Sequence, residues 1–320
     1  MMRIGIIGGA GYTAGELIRI LLNHPYAEIV FIHSTSNAGN LISDVHSGLL
    51  GETDLRFSDR YALDAVDVIF MCSGHGHSHQ YWIDNPRPDS LKIIDLAQDF
   101  RDESDGYVYG LPEQNFNRIS NASRIANPGC FATAIQLALL PLAFTGNLTD
   151  EIHITGITGS TGAGVKPSPT THFCWRSDNI SIYKAFKHQH LTEINHTLQS
   201  IQPSFTGKIN FIPVRGDFAR GIFVMAYLNS SLTIDEANKI YNDYYTNAPF
   251  TFVSERNIDL KQVINTNNAL VHLEKHDDKL LITAAIDNLL KGASGQAVQN
   301  MNIMFGLDQC TGLRLKASAF

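Results

Sequence analysis

The sequence predicts an α/β protein in two parts, a doubly wound parallel sheet followed by a second domain of the α+β kind. Three observations carry this. Short β-branched runs in the first third alternate with apolar residues at helical spacing. A glycine-rich turn joins the first run to the first helix. Past residue 150, strand-like runs follow one another with few helices between them.

The first run, Arg3 to Ile7, ends in Gly8-Gly9-Ala10-Gly11-Tyr12-Thr13-Ala14-Gly15. Leu17, Ile18, Leu21 and Leu22 then repeat as one face of a helix, which Asn23-His24-Pro25 stops. Further strands are expected at Glu28–His33, Val66–Cys72 and Leu91–Leu96. A helix over about Phe131–Ala143 opens the second half. Strands follow at Glu151–Gly159, Lys208–Val214 and Gly221–Leu228, with a helix at Ile234–Tyr245 whose N-cap is Thr233. A hairpin pairs Ala269–Lys275 with Lys279–Ile286 across His276-Asp277-Asp278. The expected sheet is therefore antiparallel or mixed.

At 320 residues the chain is long enough for two domains. Its 44% hydrophobic and 17% charged content is that of a globular protein. The longest apolar stretch, Phe131 to Phe144, carries Gln136 and Pro141 and is too short for a membrane span. The first residues read as a strand and a turn rather than a secretory leader, so a cytoplasmic protein is expected. A net charge of −7 with no basic run argues against nucleic acid as partner. Cysteines 72, 130, 174 and 310 have no paired spacing, which argues for reduced thiols rather than a disulfide framework.

The glycine turn has a physical use. Glycines let the backbone approach a pyrophosphate, and the helix behind them offers amide donors and the positive end of its dipole. The spacing here is Gly8-x-x-Gly11-x-x-x-Gly15, and its place between the first strand and first helix points to a Rossmann-type dinucleotide site. An NAD-preferring site carries an acidic residue at the end of the second strand. This chain has Ser34-Thr35-Ser36-Asn37 there, which favours NADP, although no Arg or Lys lies between Arg19 and Arg56.

Asn127-Pro128-Gly129-Cys130 places a cysteine where an apolar helix begins. Helix N-termini stabilise thiolates, and the thiolate is the nucleophile. A proton carrier is offered by His188-Gln189-His190, whose two histidines share a face if the segment is extended, and Glu193 is placed to orient one of them. Buried packing for the cysteine and plain exposure for the histidines are the alternatives these fragments leave open. His75-x-His77-x-His79 has a metal-like alternation but no adjacent cysteine or acidic ligand. No metal is expected.

Together these segments resemble the N-acetyl-γ-glutamyl-phosphate reductase family of arginine biosynthesis. The likeness continues in Asp99-Phe100-Arg101, Gly159-Ser160-Thr161-Gly162-Ala163-Gly164 and Asp287-Asn288-Leu289-Leu290-Lys291-Gly292-Ala293, which runs into Gly295–Asn300. It spans essentially the whole chain in order. The resemblance implies a semialdehyde dehydrogenase-like fold with an NADP-binding domain over 1–128 and a catalytic and dimerisation domain over 129–292. The last segment, 293–320, would return as a helix to the nucleotide domain. It implies NADPH-dependent reduction of an N-acylglutamyl 5-phosphate through a thioester on Cys130, with His188 as acid/base. Arg101, Thr161, His190 and Glu193 would meet the substrate. Gly8, Gly11, Tyr12, Thr13, Ser34, Ser36, Ser73 and Asn288 would meet the cofactor. A homodimer or homotetramer is implied as well.

One position departs from the resemblance. Many members carry an arginine just after the second strand, where this chain has Asn37. Three alternatives stay open at this stage: an aspartate-semialdehyde dehydrogenase type of enzyme, a nucleotide-sensing regulator without chemistry, and a succinyl rather than acetyl substrate. Pro-Gly directly before the cysteine and the paired histidines favour the glutamyl enzyme over the first. The presence of both Cys130 and His188 argues against the second.

Overall fold

The structure is a computed structural model that describes residues 1–74 and 76–318. The chain divides into two compact units.

The first unit takes in residues 1–128 and 293–314. Its seven strands are β1 (Met2–Ile7), β2 (Ala27–His33), β3 (Phe57–Ser58), β4 (Val68–Met71), β5 (Lys92–Asp95), β6 (Val108–Tyr109) and β7 (Arg124–Ala126). They form one parallel sheet in the order β3-β2-β1-β4-β5-β7-β6. The chain leaves β1 toward one edge and returns through β4 toward the other. This reversal opens a crevice at the carboxyl ends of β1 and β4, where doubly wound sheets bind ligands. Central strands buried on both faces are apolar throughout, as in β4, where Val68 to Met71 are all buried. The sequence reading lacked β3, β6 and β7, which have two or three residues and cannot show an alternation.

The helix Gly295–Met304 is buried along its whole length, although it carries Gln296, Gln299, Asn300 and Asn302. Burial of amides needs partners. Asn300 Nδ2 donates to Gly110 O (2.9 Å), and Asn302 Nδ2 donates to Thr311 O (2.9 Å).

The second unit takes in 129–292 together with Leu315–Ser318. Ser318 N donates to Ile264 O at 3.2 Å. Its strands are β8 (Ile152–Thr158), β9 (Ser181–Ile182), β10 (Ile209–Arg215), β11 (Ile222–Asn229), β12 (Thr251–Ser254), β13 (Ala269–His276) and β14 (Lys279–Ile286). They form a mixed sheet in the order β12-β13-β14-β11-β8-β10-β9, with β8/β10 and β12/β13 parallel and the other neighbours antiparallel. The hairpin is tighter than the sequence suggested. His276 pairs with Lys279, and the loop is Asp277-Asp278 alone.

The helix Ile234–Tyr245 begins as expected, with a capping box in which Glu236 N donates to Thr233 Oγ1 (3.3 Å) and Thr233 N donates to Glu236 Oε2 (2.8 Å). The helix Cys130–Phe144 is buried from Phe131 to Ala143 and packs on β11, β14 and the helix His190–Ile201. Pro141 inside it has no N–H for the carbonyl of Leu137. Tyr245 Oη donates to that carbonyl at 2.6 Å, and Tyr241 Oη donates to the next, Ala138 O, at 2.5 Å. No helix among the described residues is long and apolar enough to cross a membrane.

Candidate active site

Cys130 is the first residue of its helix and is half-buried, so the thiol sits at the positive end of the helix dipole. Gly129, the N-cap, has no side chain to satisfy the first-turn amides, and its own N–H donates to Glu193 Oε2 at 3.1 Å. Gly292 approaches from another segment. A Cβ at that position would lie 2.8 Å from Cys130 Cβ, so the approach requires glycine. The turn that brings it there is organised by Asp287, a fully buried carboxylate. Asp287 accepts from the amides of Leu289 (2.8 Å) and Asn265 (2.7 Å) and is paired with Arg220 at 3.0 Å.

His188 and His190 are both buried, with ring centroids 4.6 Å apart at 74°. The sequence reading had the two histidines share a face if the segment is extended, and left a surface pair open. Instead His190 opens the helix His190–Ile201, while His188 lies in the turn before it. His190 N donates to His188 Nδ1 at 3.2 Å, which leaves the ring proton of a neutral His188 on Nε2. Phe131, Tyr183 and Phe211 surround His188, with centroids 5.5–5.8 Å away. Burial, helped by the charge of Lys184, pushes the His188 imidazolium down to about 4. Glu193 joins the two halves of the cluster. Its Oε1 lies 3.9 Å from His190 Nε2, while its other oxygen holds the Gly129 amide.

Two further residues here escaped the sequence reading. Burial first, and then the charge of a Cys130 thiolate, pushes the Tyr183 phenol up to about 12, so Tyr183 lies within electrostatic reach of the thiol. The guanidinium of Arg215 stacks over the Tyr183 ring at 4.6 Å, and its buried Nε has no hydrogen-bond partner among the described residues. The one sequence signal for Arg215 was a cation directly after the predicted strand that ends at Val214. Tyr183 had none. Thr161 and Asn288 form a separate network in this unit. Thr161 Oγ1 donates to Ala219 O (2.6 Å), Asn288 Nδ2 donates to Thr161 Oγ1 (3.0 Å), and Gly221 N donates to Asn288 Oδ1 (2.7 Å).

In the first unit, Gly8 has φ +82°, and a Cβ there would lie 2.8 Å from the backbone of Cys72 and Ser73. Strain and space both exclude other residues, and the result is an open backbone cradle at the crevice. The helix Tyr12–Leu22 starts beside it, capped only by Gly11, so its first-turn amides have no side-chain acceptor. This arrangement fits a pyrophosphate. Ser34 and Ser36 follow β2, and Asn37 Nδ2 donates to both hydroxyls at 3.1 Å. Arg56, distant in sequence, donates to Gly39 O at 2.8 Å and so brings a cation to that loop. Ser73 Oγ is 3.3 Å from Ser78 Oγ. Arg101 is buried, its fork donating to the carbonyls of Asn127 (2.9 Å) and Leu96 (3.1 Å).

His77 and His79 lie on the helix His77–Asp84, both exposed, where a spacing of two turns them to different sides. His75 lies outside the described residues. Asp99 caps this helix, accepting from the amides of Gly76 (2.7 Å) and Ser78 (2.9 Å).

Comparison with known proteins agrees with both units. Residues 3–122 match the family described as semialdehyde dehydrogenase, NAD binding domain, and residues 130–288 match semialdehyde dehydrogenase, dimerisation domain. The chain is 59% identical to the N-acetyl-γ-glutamyl-phosphate reductases of Parabacteroides distasonis and of Bacteroides thetaiotaomicron, over 100% of each chain. Among solved structures, aspartate semialdehyde dehydrogenase II of Vibrio cholerae, complexed with ASA, superposes with a TM-score of 0.73. That pair shares 17% identity over 96% of this chain and 98% of the other, a likeness of fold alone. Identity at this level over the full length, on this fold and with this thiol site, places the chain in the N-acetyl-γ-glutamyl-phosphate reductase family.

Proposed function

We propose that the chain reduces N-acetyl-γ-glutamyl phosphate to N-acetylglutamate 5-semialdehyde in arginine biosynthesis, releasing phosphate and working through a thioester on Cys130. The observation that carries the mechanism is Cys130 at a helix N-terminus beside the cluster of His188, His190 and Glu193. The Cys130 thiolate attacks the acyl carbon and expels inorganic phosphate, which leaves the acyl group as a thioester. NADPH, when bound, supplies the hydride that reduces this thioester. The backbone amide of Cys130 at the helix start is the donor for the oxyanion that develops, and His188 protonates it. Collapse of the Cys130 adduct releases the aldehyde and restores the thiolate. Glu193 and His190 hold the helix start and His188 in register, and Arg101, Arg215 and Thr161 are the proposed contacts to the substrate's anionic and polar groups.

The nucleotide is held by the Gly8–Thr13 turn, Ser34, Ser36, Ser73 and Asn288. The absence of an acidic residue after β2 and the approach of Arg56 to the same loop support NADP over NAD. The dimerisation-domain match supports a homodimer or homotetramer. The cytoplasm is the proposed compartment.

The test is phosphate-dependent reduction of NADP and NAD with N-acetylglutamate, N-succinylglutamate and aspartate semialdehydes. Activity should be greatest with the acetyl compound and NADP. Cys130→Ala should lower it by at least about 10³-fold while cofactor affinity is kept. Residual activity within tenfold of wild type would exclude the thioester. Preference for the aspartyl compound would move the substrate assignment to the aspartate-semialdehyde type.

A further inference from the structure

The carboxyl end of the first unit's sheet holds a group that the chemistry above does not use. Asp95 closes β5 and is fully buried. Its Oδ1 accepts from the Ala97 amide (2.7 Å) and from the Ser78 hydroxyl (3.1 Å), whereas the equally buried Oδ2 has no hydrogen-bond partner among the described residues. A half-satisfied buried carboxyl is costly, and its presence asks for a use. Ser78 Oγ is in turn 3.3 Å from Ser73 Oγ. On the other side, the Cys72 thiol is within electrostatic reach of the same carboxylate. The Ser73 backbone walls the Gly8 cradle, and its hydroxyl connects to Asp95 through one intervening side chain, Ser78.

We propose that Asp95 is a positioning residue for the dinucleotide, holding Ser73 through Ser78, and that loss of its negative charge tightens binding of the anionic cofactor. The inference rests on reading the Gly8 crevice as the nucleotide site. The other ionisable groups in reach are Asp99 and Arg101, from the loop after β5, and Tyr107, before β6, together with Cys72 at the end of β4. Burial, the largest influence, pushes the Asp95 carboxyl up to about 6, and Asp99 adds to this against Arg101 and the two hydrogen bonds. A pyrophosphate placed at the crevice raises it further, because like charges disfavour ionisation. By linkage, cofactor affinity is then highest where Asp95 is protonated and falls as pH rises through that range.

The experiment is calorimetric titration of wild type, Asp95→Asn and Ser78→Ala with NAD⁺ and NADP⁺ between pH 5 and 8.5. NAD⁺ lacks the 2′-phosphate, which titrates in the same range. Wild-type affinity for NAD⁺ should fall about tenfold across this interval, the equivalent of one pK unit of differential interaction. Asp95→Asn keeps the acceptor for Ser78 and Ala97 but not the charge, so its affinity should stay flat near the low-pH value. Ser78→Ala should weaken binding of both nucleotides, raising KM for the cofactor more than it lowers kcat. A wild-type pH profile retained in Asp95→Asn, or wild-type affinity in Ser78→Ala, would overturn the proposal while leaving the nucleotide site in place. No binding by the wild type would overturn the nucleotide reading and this inference together.

Discussion

At His188, burial among Phe131, Tyr183 and Phe211, together with the charge of Lys184, keeps the imidazole neutral down to about pH 4. A folded-state pKa below the ordinary 6.5 puts any acid limb due to this residue near pH 4 in the free protein. With Nδ1 taken by the His190 amide, neutral His188 presents its Nε2 proton as a donor to the thiolate and the developing oxyanion. His188→Gln should lower kcat by about 10²- to 10⁴-fold. The pH profile of kcat/KM checks the environment, since a limb centred near 6.5 in wild type and absent from the variant would contradict the buried setting. Tyr183, pushed up to about 12, stays a protonated donor beside the thiol throughout this range. None of these shifts was legible in the fragment Lys187 to Glu193, because they come from neighbours on other elements.

Among the elements, the Cys130–Phe144 helix shows how a sequence anomaly is absorbed. Pro141 breaks the internal ladder at Leu137, and Tyr245 restores the lost bond from the neighbouring helix. Tyr245→Phe should therefore destabilise the protein by about 1–3 kcal/mol, the cost of an orphaned buried carbonyl. Pro141→Ala returns the missing amide, so in that background the tyrosine substitution should cost clearly less. Urea midpoints of the four proteins measure the coupling, and strict additivity would refute it. This helix, the Thr233 cap and the hairpin were all visible in the sequence, since apolar spacing and capping chemistry are local. The partner of Pro141 was not, because Tyr245 meets Leu137 from 108 residues away.

For the molecule as a whole, the first unit ties its beginning to its end through His24. This buried imidazole pairs through Nε2 with Asn302 Oδ1 (3.0 Å) and accepts the Tyr26 amide at Nδ1 (3.3 Å), and Gly312 lies against its ring. Both ring nitrogens are thus used in the neutral form, and burial, opposed by the Asn302 bond, lowers its pKa. The stability this supplies is fully present above the unfolded value of about 6.5 and is lost as pH falls from there toward the folded pKa. Melting temperature should drop between pH 7.5 and 5, and His24→Gln should reduce that drop. An unchanged slope in the variant would remove His24 from the account.

The parallel and mixed sheets, the glycine turn, the helix ends and the motif order from Gly8 to Asn300 were all determined by the sequence itself. Each depends on contacts a few residues apart, and such contacts leave a periodic or positional trace. The short strands β3, β6, β7 and β9 leave none, since two or three residues are held by their neighbours in the sheet rather than by their own pattern. Tertiary structure alone decided that Gly292 closes on Cys130, that Glu193 reaches the Gly129 amide 64 residues away, and that Arg215 stacks on Tyr183 beside the thiol. It likewise set the charge states of His188 and Asp95. Desolvation depends on everything packed around a group, and no stretch of sequence carries that sum.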